Sequence, residues 1–165
     1  MLILNSIKTL EESEIFKNWK QKHDKFYICS VFLIMDHVNE SPQIDYYDPD
    51  KDRITNFVID KNIKITEDEK IFKKEKHKIK KLDLSKVKIS LEQALSKVEN
   101  LLIEKYKETA HRKIVVLQNL EREVWNITSL TTNLNILNVK IDATNGDIVE
   151  ERLNSILSFK DKQNL

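Results

Sequence analysis

One glycine and two prolines occur in 165 residues, where a globular chain of ordinary composition carries about 7% and 5%. With a single glycine neither G-x-G-x-x-G nor G-x-x-x-x-G-K-[ST] can be written, so glycine-rich phosphate loops are excluded. The lone cysteine, Cys29, excludes an internal disulfide. The four histidines, His23, His37, His77 and His111, show no pairing at metal-ligand spacing, and none marks a Cys-His dyad. The longest apolar run, Phe26 to Met35, is interrupted by Ser30 and falls short of the ~20 residues needed to span a bilayer. Charge of one sign is also lacking. With 28 Lys and Arg against 27 Asp and Glu the net charge is +1, which removes bulk attraction to nucleic acid or to an anionic membrane. Met1-Leu-Ile-Leu has neither the basic start nor the long apolar core of a secretory signal, and together with the single thiol this gives the expectation of a cytoplasmic protein.

What is present reads as alternating helical and extended segments. Thr9-Leu-Glu-Glu12 has capping-box spacing, and Leu10, Ile15, Phe16 and Trp19 predict a helix from Leu10 to His23. Phe26 to Met35 reads as a strand with apolar residues on both faces, which a half-wet sheet does not tolerate uncovered, so a second layer or a second copy is expected over it. Gln43 to Tyr47 and Arg53 to Ile59 follow as strands. Ser90-Leu-Glu-Gln93 opens the best helix in the chain, with Leu91, Ala94, Leu95, Val98, Leu101, Leu102 and Tyr106 at helical spacing. Strands are predicted at Lys113 to Leu120 and Glu123 to Leu130. A hairpin over Leu134 to Leu153 then puts Leu137, Val139 and Ile141 on one face, turns on Asp142-Ala-Thr-Asn-Gly146 and returns through Ile148 and Val149. Trp19 and Trp125 fall at positions expected to face a core.

The run Val139-Lys-Ile-Asp-Ala-Thr-Asn-Gly-Asp-Ile-Val149, preceded by the Ser90-capped helix and its strands, resembles the closing hairpin of PepSY-type domains, V-x-[VI]-D-A-x-T-G-x-[VI], with Asn145 inserted between Thr144 and Gly146. The resemblance covers 88–153 and implies a small α+β module associated with peptidase regulation. The segment 47–55 also aligns without a gap on 141–149, placing Asp48 over Asp142 and Ile54 over Ile148. Either an internal duplication or shared hairpin chemistry accounts for it. The expected fold is therefore α+β, with a helix on a curved antiparallel sheet in two similar PepSY or cystatin-like units. These comprise residues 1–60, a charged connection at 61–88, a second unit at 89–157 and a frayed tail at 158–165.

Few constellations could carry chemistry. Asp48, Asp50 and Asp52 have the opening spacing of a calcium loop, but Arg53 stands where such a loop needs glycine and Ile59 where it needs glutamate, so a solvated acidic turn is the expected reading. Lys73, Lys74, Lys76, Lys78, Lys80 and Lys81 form a basic run that could follow a phosphate backbone, although Glu67, Asp68, Glu69 and Glu75 dilute it. No nucleophile, base and orienting partner are nominated together, and no cofactor is implied. The leading expectation is a non-catalytic interaction module binding a protein or peptide, or a second copy, through Phe26, Ile28, Phe32, Leu33 and Ile34 or a sheet edge. A nucleic-acid role for the basic run is the alternative, and an enzyme comes third.

Overall fold

The computed structural model describes residues 2–36, 40–70 and 79–157. The chain begins with helix α1 (Leu2–Glu12), so the first helix starts well before Leu10, and Thr9 lies inside it. Its apolar stripe of Ile3, Ile7 and Leu10 is buried. Ser13 separates α1 from α2 (Glu14–Lys22): its hydroxyl donates to the Leu10 carbonyl at 2.6 Å and accepts the Phe16 amide at 3.1 Å, closing one helix and capping the next. The Lys20 ammonium donates to the carbonyls of His23, Asp24 and Phe26 and so satisfies the exit from α2.

Strands β1 (Tyr27–Met35), β2 (Gln43–Asp48), β3 (Arg53–Ile59) and β4 (Ile63–Lys70) follow. The expected second helix is α3 (Leu91–Asn100), with the Ser90 and Gln93 capping box formed in both directions. It runs on as a π-helical turn, Leu101–Tyr106, and stops at Lys107, whose φ of 54° is left-handed. β5 (Ala110–Asn119), β6 (Glu123–Thr131), β7 (Asn135–Asp142) and β8 (Ile148–Ser155) complete the chain. The stretch 61–88, expected as a charged connection, contributes β4 to the sheet, and 71–78 lies outside the described residues. The tail, 158–165, lies outside them as well.

All eight strands form one antiparallel sheet in the order β4-β3-β2-β1-β5-β6-β7-β8. Two meanders run outward from a central pair, β1 and β5, joined in the register Phe32 to Val116 and Leu33 to Val115. This topology places the two aligned turns differently. Asp48 closes β2 into β3, the second and third strands of the first meander, whereas Asp142 closes β7 into β8, the third and fourth of the second.

Among the described residues, α1, α2 and α3 lie on the same side of the sheet. Phe16 and Trp19 of α2 meet Tyr46 and Phe57 of β2 and β3. Leu91, Ala94 and Val98 of α3 join one core with Val115, Leu117, Trp125, Ile127, Leu137, Val139 and Ile141. Trp19 and Trp125 are buried in that core as expected. Residues 79–90, which lead into α3, run across the ends of the central strands. Leu82, fully buried, donates its amide to the Ile28 carbonyl at 3.0 Å, and the indole of Trp125 donates to the Ile89 carbonyl at 2.9 Å.

Candidate protein interface on the open face of the sheet

With α1, α2 and α3 on one side, the alternation of each strand decides what the other side presents. On β1, Val31 and Leu33 point to the helices and are fully buried, and Phe32 and Ile34 point away. Register pairs Phe32 with Val116 and Ile34 with Ile114, so β1 and β5 place four apolar side chains in a block at the centre of the open face. Val58 of β3 lies on the same face beyond Gln43 of β2, which separates it from Phe32. Ile34 is 37% exposed, and the other four are half-buried. A depression of about 330 Å³ between Phe32, Ile34, Asp36, Ser41, Gln43 and Val58 adjoins the block.

Polar ladders border the block. On the β2 side the Ser30 hydroxyl donates to Asp45 at 2.6 Å, and the Gln43 amide donates to the other Asp45 oxygen at 2.8 Å. On the β6 side Asn138 donates to Asn126 and to Thr128, both at 2.8 Å. Lys140 and Arg152 then meet Glu150 at 2.8 Å and 2.7 Å. An apolar centre with a hydrogen-bonded polar border is the anatomy of a protein interface, in which the centre carries the desolvation and the rim carries the directional contacts.

The five residues nominated as an interface are divided by the strand. Phe32 and Ile34 lie on the open face. Leu33 and Ile28 face the helices and are buried, and Phe26 packs edge-on against Trp19 and His23. The sequence-based nomination missed Val58, Ile114 and Val116. The signal was there: Ile114-Val-Val-Leu117 is apolar at every position, as Val31 to Met35 is, and a strand apolar on both faces needs both faces accounted for.

The other nominated residues are occupied elsewhere. Asp48 accepts the amides of Asp50 and Lys51, Asp50 pairs with Lys25 at 2.6 Å, and Asp52 accepts the Tyr47 hydroxyl, so the three carboxylates serve different partners. Among the described residues no group of three or more metal-binding side chains converges. Lys80 pairs with Glu121 at 2.6 Å, and the Lys81 carbonyl accepts from Asn119. Lys73, Lys74, Lys76 and Lys78 lie outside the described residues.

The Asp142-to-Gly146 turn has a structural task. Ala143, fully buried, accepts the amides of Lys88 and Ile89 and donates to the Glu123 carbonyl, tying the entry of α3 to the hairpin. Lys97 of α3 donates to the Gly146 carbonyl at 2.7 Å. Asp142 accepts the Thr144 amide and meets Arg122 at 3.2 Å; burial alone would push its carboxyl up, but these partners hold it below the usual carboxylate range. The inserted Asn145 stays in solvent, paired with Asp147.

No curated protein matches the sequence. Among solved structures, a candidate lipoprotein from Clostridium difficile 630 has a similar fold, with a TM-score of 0.56 at 16% identity over 86% of this chain and 91% of that one. At that identity the likeness is one of fold, and it extends over both meanders. Residues 88–152, from the entry of α3 through most of β8, match the PepSY family, described as the peptidase propeptide and YPEB domain.

Proposed function

We propose that this chain is a non-catalytic binding module whose open sheet face receives a protein or peptide. The observation that carries the reading is the one-sided placement of the helices, which leaves Phe32, Ile34, Ile114 and Val116 as an apolar block inside a polar border, with Val58 beyond Gln43. A solvated antiparallel sheet face would alternate to polar side chains at these positions. The PepSY match at 88–152 supports a propeptide-like or regulatory role, in which the partner is a peptidase or a segment of one. No observation favours the basic run as a nucleic-acid site.

Peptide display on the full chain tests this, with counter-selection on Ile34→Lys. The expected result is a set of sequences that bind the natural chain and lose at least about tenfold in affinity on the variant. Binders indifferent to Ile34→Lys, or none at all on a chain that is monomeric in solution, would refute the open face as an interface. Titrating the chain into a panel of peptidases then separates a regulator, which changes their rates, from a binding module of another kind.

A further inference from the structure

We infer that the open face is occupied by a second copy of this chain, in a face-to-face dimer. This rests on the reading of that face as an interface and commits it to one partner. The block has a local two-fold of its own: β1 and β5 are antiparallel, and a half-turn about the sheet normal exchanges Phe32 with Ile114 and Ile34 with Val116. An isologous interface uses the same patch on both copies, so the patch must match itself across the axis between them. A two-fold axis lying between the sheets along the central strands sets β1 of one copy over β5 of the other, at the ~10 Å spacing of stacked sheets.

The same operation opposes the two meanders. On these registers it lays the row Phe32, Gln43, Val58, Lys64 over the row Val116, Asn126, Lys140, Glu150, so that apolar meets apolar at the centre and Lys64 meets Glu150 at the rim. The extent of the face also suffices. Eight strands spaced ~4.8 Å and about 8 residues long present roughly 1,000 Å², against about 800 Å² per partner in a stable interface of standard size. Such a dimer would supply the second layer that Phe26 to Met35 requires and that this chain, among the described residues, does not.

Light scattering on the full chain across about a hundredfold range of concentration tests the inference. The expected mass at the upper end is twice the chain's 19.5 kDa. Ile34→Lys, at a site 37% exposed, should weaken the dimer at least about 100-fold. Ile65→Lys, at a site 38% exposed on the helix side of the edge strand β4, should leave it unchanged. If the lysine variant fails to fold by circular dichroism, Val116→Thr keeps the shape, adds a hydroxyl to the block and should weaken the dimer about tenfold. A monomer throughout, or a dimer indifferent to these open-face changes, would overturn the inference. Displayed peptides that still depend on Ile34 in a monomeric chain would leave the interface reading standing while removing the second copy from it.

Discussion

Cys29 shows how a single position settles a chemical question. Its side chain is 2% exposed, where β1 shifts register against β2, and its thiol donates to the Asp45 carbonyl at 3.4 Å. Burial, reinforced by the nearby Asp45 charge, pushes the thiol up to about 12, so almost no thiolate exists near neutral pH. A thiol reagent at pH 8 should leave the folded chain unmodified and label it fully in guanidinium; rapid labelling of the native chain would show the site to be open. Gly146 is the complementary case. Its φ is +81°, and a Cβ there would stand 3.3 Å from Ile89 and 3.4 Å from Lys97. Gly146→Ala should cost about 1–2 kcal/mol, read as a lower urea midpoint, while Asn145→Ala, in solvent beside it, should change little.

Asp142 gives the acid limb of stability. Its folded carboxyl lies below the ordinary value, so its contribution is complete above the unfolded value of about 3.9 and is lost as pH falls through the lower folded value. Glu151, held down by Lys105 and Tyr106, acts in the same direction. The urea midpoint should therefore drop below pH ~4, and Asp142→Asn should begin lower at neutral pH and fall less steeply in acid. Parallel acid limbs in the two proteins would show that Asp142 contributes nothing to the drop.

At the scale of the element, α3 and α1 carry the same kind of sequence signal with different outcomes. Ser90 and Gln93 bond reciprocally and start α3, whereas Thr9 and Glu12 have the same spacing inside an existing helix, with Ser13 acting as the real cap. Ser90→Ala should cost about 1 kcal/mol, and Thr9→Ala, exposed in a helix interior, should be neutral or slightly stabilising. Thermal melts of the two variants separate these outcomes. A capping box is read correctly only when the residues before it are not helical, and Ile3 and Ile7 make them helical by burying one face of α1 against the sheet. Strand signals were more secure. Arg53–Ile59 is observed over its expected span, and Leu137, Val139 and Ile141 are fully buried on one face. Ile148 and Val149, 43% and 50% exposed, continue the apolar pattern without continuing the burial, because β8 is the outermost strand and the layer of helices does not reach over them.

For the whole molecule, the decisive contact is between β1 and β5. It makes one sheet of two meanders, and residues from both enter one core. Unfolding should accordingly be a single transition. In Trp125→Phe the remaining Trp19 reports the first meander, and in Trp19→Phe the remaining Trp125 reports the second. Each variant's fluorescence midpoint should match its own circular dichroism midpoint, and a gap between them would mean that the halves unfold separately.

The sequence by itself determined seven of the eight strands named here, with α2 and α3, the core face of α3, the burial of both tryptophans and the PepSY-like hairpin from Val139 to Val149; it did not place β4 or the first two turns of α1. What it determined rests on spacing and turn chemistry, which act over a few residues. Only the tertiary structure decided that Phe32 and Leu33 go to opposite environments, that the aligned Asp48 and Asp142 turns occupy unequal places, and that the helices leave one face open. Those outcomes depend on which strand lies beside which and on which side the helices pack. Pairing over the long separation between Phe32 and Val116 leaves no local trace in either strand.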